Sequence, residues 1–320
     1  MKTLVIGRGG LIGSSLESAL FKRFGHKQVQ QKIHWKDPSR ALVALSGIVR
    51  RFFSENTNES WVIAWCAGQG SFASKNDDLK NESLYLEVVL EEISKAAIPG
   101  GVFFYTSSAG AIYTNPSGTI VDENSPPSVT NDYGHHKLAQ ENLVSRFAQS
   151  TKVRSINGRV VSVYGPNQNL QKPQGLISRL CLDALRHKST DIFVPLGTTR
   201  NYLFVTDAAE MIAQYIEFVH HQDDSDIDNC TTKIFCGALS CSISSICRTV
   251  NTVSKRKTLI RSRIDQRSLQ YPEHFKIRSV VHPDLSQFCS TTLISGVSAV
   301  YQGIQGQLQI GKYQFNDRHS

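Results

Sequence analysis

The sequence predicts an α/β protein built on a doubly wound parallel sheet. Three observations carry that expectation. Short apolar runs at Lys2–Ile6, Trp61–Trp65, Val102–Tyr105 and Val153–Val163 alternate with longer amphipathic stretches over the first 215 residues. Strands separated by helical patterns form βαβ units, which pair in parallel. Directly behind the first run stand glycines at 7, 10 and 13, where a strand must turn sharply into a helix. Finally, 320 residues of which 40% are hydrophobic and 19% charged can bury a full core. That composition excludes wholesale disorder and suits one large α/β unit or two unequal lobes.

Each element follows from its local pattern. Lys2–Ile6 reads as a buried strand, followed by the glycine turn and a helix through Phe24. The clearest helix covers Tyr133–Gln149, where Ala139, Leu143 and Phe147 recur every four residues. Two loop-rich segments, Asn115–Asp132 and Pro166–Gln174, interrupt the alternation with prolines and small polar residues. Beyond Val219 an acidic turn, a Cys/Ser-rich stretch and a basic segment at Lys255–Arg267 replace the regular pattern. We expect residues 1–165, joined by a strand and helix from about 198–219, to form the large domain. Residues 166–197 and 220–320 then make a smaller C-terminal lobe.

Composition excludes several functional classes. The N-terminal apolar stretch is short and broken by glycines, unlike a secretory signal. No run approaches the roughly 18 apolar residues that span a bilayer, so a soluble, cytoplasmic protein with no membrane partner is expected. Seven cysteines form no CxxC pair, and ten histidines form no HExxH pattern. Reduced thiols and no metal are expected. Lys plus Arg exceed Asp plus Glu by 35 − 27 = 8. Lys255–Arg267 holds six of those cations and one anion, a net +5. Aliphatic Leu259, Ile260 and Ile264 lie among them instead of stacking aromatics, so a solvated face is favoured over an anionic-ligand site. A nucleic-acid partner is not expected.

The glycine turn points to a dinucleotide. Gly7 permits the tight turn, Gly10 lets the backbone approach a pyrophosphate, and Gly13 lets helix and strand pack closely. Arg8, Leu11 and Ile12 complete the turn, and the helix N-terminus offers free N–H groups to the phosphates. This makes the predicted fold Rossmann-like. A carboxylate about 20 positions on would bind the ribose 2′-hydroxyl of NAD. Residues 25–33 contain none, but have Lys27 and Lys32. With Arg8 these cations suit a 2′-phosphate, so NADP is preferred and NAD is the alternative.

Tyr133 and Lys137 lie four residues apart on one helix face. A phenol titrates near 10 when unperturbed. A neighbouring ammonium and an oxidised nicotinamide would favour the phenolate and make Tyr133 a general acid/base. Upstream, an apolar strand ends in Ser107 and Ser108, either of which can hydrogen-bond a reacting oxygen.

With these motifs in order, the chain resembles the extended short-chain dehydrogenase/reductases of the NAD-dependent epimerase/dehydratase type. The resemblance rests on the glycine turn, Cys66-Ala67-Gly68 after a strand, Ser107-Ser108 and the Tyr133/Lys137 pair. Gly158–Pro166 and Arg200–Asp207 also match. It covers residues 2 to about 215 and is thin afterwards. It implies that Tyr133 is the acid/base, that Lys137 lowers its pKa and holds the nicotinamide ribose, and that Ser108 or Ser107 binds the substrate oxygen. Cys66, Ala67 and Gly68 would edge the cofactor, and the smaller lobe would bind substrate. Arg200, and more weakly Arg278, would contact a diphosphate. Asn169 and Gln174, in a polar loop, would line a sugar or nucleotide site. A nucleotide sugar of surface-polysaccharide biosynthesis is the implied substrate, and relatives are often homodimers.

Three departures qualify the match. Ala109, not serine, stands four residues before Tyr113. Ala109-Gly110 replaces the Asp-Glu pair of sugar 4,6-dehydratases, which argues against dehydration. Ser162 stands where relatives often have an asparagine contacting the nucleotide. Two other functions fit the same residues: an NADPH-dependent reductase of a small carbonyl, and a non-catalytic dinucleotide-sensing protein.

Overall fold

A computed structural model describes residues 1–26, 32–55, 59–68, 76–114, 120–171, 175–222, 229–238, 240–263 and 273–311. Five strands, β1 (Lys2–Ile6), β2 (Trp61–Trp65), β3 (Gly101–Ser108), β4 (Arg154–Val160) and β8 (Cys230–Phe235), pair in that order and entirely in parallel. Every residue of β2 is buried, as a strand with helices on both faces requires. Helices α1 (Leu11–Phe24) and α7 (Val205–His221) pack together on one face, where Leu16, Leu20 and Ile212 are fully buried. Helices α2 (Pro38–Ser54), α3 (Asn76–Ala96) and α5 (Asp132–Thr151) cover the other through Leu45, Leu86, Val89 and Phe147.

Local chemistry sets the helix ends. Gly25, at φ 68°, closes α1 in the left-handed conformation that glycine adopts without strain. Asp37 accepts the Arg40 N–H at 3.1 Å and Pro38 occupies the first turn, a capped start for α2. Asn131 caps α5 by accepting the Gly134 N–H at 2.9 Å, which places Tyr133 in the first turn. A single turn, α4 (Ala109–Ile112), follows β3 directly.

The smaller lobe packs α6 (Leu176–Leu185), α8 (Ile243–Ser254) and α9 (Leu293–Gln309) around Leu180, Ile246, Val297 and Val300. Strands β5 (Ser162–Tyr164), β7 (Thr199–Phe204) and β9 (Ser240–Ser242) form a small mixed sheet. Strands β6 (Ser189–Ile192) and β10 (Leu259–Ser262) pair in parallel. Two expectations change. The run Val153–Val163 is two strands, because β4 stays in the large sheet to Val160 whereas β5 turns to pair with β7. Residues 220–320, expected to lie mostly in the smaller lobe, return β8 to the large sheet beside β4.

Among the described residues no helix is long and apolar enough to cross a membrane, and no histidine, cysteine or carboxylate cluster could hold a metal. All seven cysteines are free thiols.

Candidate active site

The carboxyl ends of β1, β2 and β3 open into a cavity of about 660 Å³, the usual ligand position on such sheets. Its floor is the glycine turn. Gly7 has φ +93°, and a Cβ there would overlap the backbone of Cys66 and Ala67. A Cβ at Gly13 would overlap the Gly7 carbonyl, so the start of α1 lies as close to β1 as glycine permits. The Gly10 N–H donates to Gly7 O at 2.9 Å, which fixes the turn. Gly7, Gly10, Leu11, Ile12, Cys66, Ala67 and Gly68 all line the cavity. A cradle that excludes side chains at a helix N-terminus fits a dinucleotide pyrophosphate.

Tyr133, Lys137, Ser107 and Ser108 line the same cavity. The two serines differ. Ser107 donates to Glu141 Oε1 at 2.5 Å and is 1% exposed. Ser108 instead accepts the Ala111 N–H at 3.3 Å and hydrogen-bonds the Tyr133 phenol. Alternation along a strand separates them, since successive side chains point to opposite faces.

Electrostatics here differ from the simple Tyr–Lys picture. Burial raises the Tyr133 phenol above its ordinary value, the Glu82 carboxylate raises it further, and the Ser108 hydrogen bond opposes both. Lys137 Nζ donates to Tyr105 Oη at 3.1 Å and Thr106 O at 3.4 Å and lies over the Tyr133 ring, 6.0 Å from its centre. Burial lowers the Lys137 ammonium, with Glu82 and Glu141 acting against it. The Cys66 thiol, buried beside Thr106, is pushed up to about 12 and stays protonated.

Several expected residues lie elsewhere. Arg8 Nη1 is 3.4 Å from Glu17 Oε1, and Lys32 is exposed; neither is among the described residues lining the cavity. Arg200, on β7, donates to Thr199 O at 2.7 Å and Glu273 O at 3.5 Å, and Arg278 pairs with Asp122 at 3.0 Å. Neither arginine is among the lining residues. Asn169 does line the cavity, with Asn167 and Gln168. Gln174 and Lys27 lie outside the described residues. In the basic segment, Arg261 and Arg263 both pair with Asp191, at 3.5 and 3.1 Å.

Among the cavity residues that sequence reasoning missed are Glu82, Trp35 and Tyr85. Glu82, 7% exposed on α3, lies 4.0 Å from His136 Nε2. Trp35 and Tyr85 extend the cavity beyond the glycine turn. A carboxylate in the first turns of an otherwise amphipathic helix carries no local signal; only the packing of α3 on α5 reveals it.

Residues 3–230 match the NAD dependent epimerase/dehydratase family. A UDP-glucose 4-epimerase from Mycolicibacterium smegmatis is 26% identical over 230 residues, which is 66% of this chain and 71% of that protein. UDP-glucuronic acid 4-epimerase from Bacillus cereus, solved with UDP-glucuronic acid and NAD, has a TM-score of 0.75 at 21% identity, covering 96% of this chain and 99% of that one. RMD from Pseudomonas aeruginosa, solved with NADPH, has a TM-score of 0.72 at 16% identity, covering 96% and 99%. At those identities the structures establish the shared fold. With the glycine turn and the Tyr133, Lys137 and Ser108 cluster in one cleft, the chain belongs to the NAD dependent epimerase/dehydratase family, enzymes of the extended short-chain dehydrogenase/reductase type.

Proposed function

We propose that the protein is an epimerase or reductase acting on a hydroxyl or carbonyl of a sugar carried on a nucleotide, with NADP preferred over NAD. The observation that carries this reading is the Ser108–Tyr133 hydrogen bond, set with Lys137 in the cavity that the glycine turn floors. The bound nicotinamide supplies the hydride acceptor and donor. The chain's residues do the rest. Tyr133 Oη, as the phenolate that the charge of an oxidised nicotinamide would favour, takes a proton from the substrate hydroxyl as carbon is oxidised, and returns it from the phenol on reduction. Ser108 would hold that same oxygen, and Lys137, which lines the cavity beside Tyr133, would hold the cofactor ribose. Gly7 and Gly10 leave room for the pyrophosphate.

The nucleotide-sugar assignment draws support from relatives named as UDP-glucose epimerases and from neighbours solved with UDP-sugars. Asn167, Gln168 and Asn169 supply polar side chains on the substrate side of the cavity. Ala109-Gly110 after the serines supplies no acid pair for elimination, which favours epimerisation or reduction over dehydration. The NADP preference rests on the lack of a carboxylate at residues 25–36, and not on Arg8 or Lys32, which lie outside the cavity lining. A surface-polysaccharide role and a homodimer are carried by family likeness alone.

Mass spectrometry of dinucleotide released from the purified protein, followed by turnover of a UDP- and dTDP-sugar panel, tests the reading. NADP released, or NADPH consumed with a nucleotide sugar, is expected. NAD retained through purification would remove the NADP preference. Turnover of small carbonyls alone, unaffected by Arg200→Ala, would remove the nucleotide sugar.

A further inference from the structure

Beyond the glycine turn the cavity ends in aromatic rings. Trp65 closes β2, Tyr85 lies on α3, and Trp35 stands two residues before the Asp37 cap of α2. Trp65 and Tyr85 are buried at 1% and 4% exposure, but Trp35 keeps part of its surface open to the cavity. The Trp35 and Trp65 rings meet at 89° with centres 6.4 Å apart, and Tyr85 lies 5.8 Å from Trp35 on another side. Tyr85 Oη donates to Trp35 O at 3.3 Å, so the loop carrying the indole is tied to α3. A fixed indole with an open part in a cavity is a platform for a flat heteroaromatic ring.

The described carboxylates that flank the glycine turn and open α2 are engaged elsewhere. Asp37 is the first carboxylate after α1. Its side chain accepts the Arg40 N–H at 3.1 Å and lies 3.3 Å from Arg40 Nε, so it serves the α2 cap. Glu17 is engaged by Arg8 at 3.4 Å. The adenosine half of a dinucleotide therefore meets aromatic surface where related sites offer a carboxylate to the ribose. Ser108 and Tyr133 stand at the tip of β3, while Trp35 packs beside the tip of β2. Trp35 lines the same cavity as Gly7, Gly10, Ser108 and Tyr133, so its indole is an aromatic face within reach of a dinucleotide whose pyrophosphate sits on the glycine turn.

We propose that Trp35, backed by Trp65 and Tyr85, is the stacking platform for the adenine ring, and that this stack is the main hold on the adenosine half of the cofactor. The inference rests on the dinucleotide reading above. Because adenine is common to both cofactors, the stack adds affinity for NADP and NAD alike and leaves the choice between them to other residues.

Isothermal titration of the wild type, Trp35→Ala and Trp35→Phe with NADPH, NADH, ADP-ribose and nicotinamide mononucleotide tests the proposal. Loss of one aromatic–base stack weakens binding by about tenfold. Trp35→Ala is expected to weaken NADPH, NADH and ADP-ribose by a similar factor and to leave the mononucleotide unchanged. Trp35→Phe is expected to recover most of the affinity, which separates stacking from a general loss of the fold. Unchanged ADP-ribose binding in Trp35→Ala overturns the proposal while the dinucleotide reading survives. Equal weakening of the mononucleotide also overturns it. A wild type that binds neither NADPH nor NADH overturns both.

Discussion

The ion pair between Glu141 on α5 and Arg159 on β4 offers a sharp test of how these two elements are held together. Their side chains are 4% and 7% exposed. Arg159 donates from Nε to Glu141 Oε1 at 2.9 Å and Oε2 at 3.2 Å, and from Nη2 to Oε2 at 2.6 Å. Ser107 donates to the same carboxylate, and Tyr113 accepts from Arg159 Nη1. Glu141→Gln keeps the volume but leaves the guanidinium buried without a counter-charge. Breaking such a pair costs about 3–5 kcal/mol. By contrast, Arg51–Glu55, with 70% and 50% exposed side chains, is worth less than about 1 kcal/mol. Urea unfolding of Glu141→Gln and Arg51→Ala, compared with wild type, measures both. A Glu141→Gln loss under about 1 kcal/mol, or one equal to that of Arg51→Ala, would refute the argument that desolvation makes this pair matter.

Two further outcomes follow from the charges around Tyr133. Glu82 raises the phenol, so Glu82→Gln is expected to shift the pH–rate profile of the Tyr133-dependent step toward lower pH; an unmoved profile would count against the coupling. His136, buried and near Lys137, is lowered to about 4. Below its ordinary value of 6.5 the unfolded chain takes up a proton that the folded chain refuses. Stability should therefore fall as pH drops from 6.5 to about 4. Chemical denaturation across that range should show a shallower decline in His136→Gln, and an identical slope would exclude His136 as the source.

Legibility in the sequence depended on how local the cause was. β1, α1 and β2 occupy the residues expected of them, because a buried parallel strand is a continuous apolar run and glycines mark both ends of α1. The Tyr133 helix was visible through its four-residue apolar repeat, which its Asn131 cap extends by one residue at the start. β8 was not assigned to the large sheet, since its pairing with β4 joins residues some 75 positions apart and leaves no periodic trace. Ser107 and Ser108 look equivalent in the chain; strand alternation sends one to Glu141 and the other to Tyr133. Trp65 closes a continuous apolar run and is buried, yet its contact with Trp35 joins residues 30 positions apart and leaves no local trace. Glu82 acquires its meaning only when α3 and α5 pack together.

Tyr133→Phe bears most directly on the central claim that Tyr133 transfers the proton in a dinucleotide-dependent reaction. Removing one hydroxyl leaves the cavity and the glycine turn intact. NADPH affinity, measured alongside turnover of whichever nucleotide sugar the panel identifies, should stay within about twofold of wild type. Turnover should fall by about 10²–10⁴-fold, the usual contribution of a general acid/base. Tyr133→Phe turning over at the wild-type rate with dinucleotide bound would contradict the account.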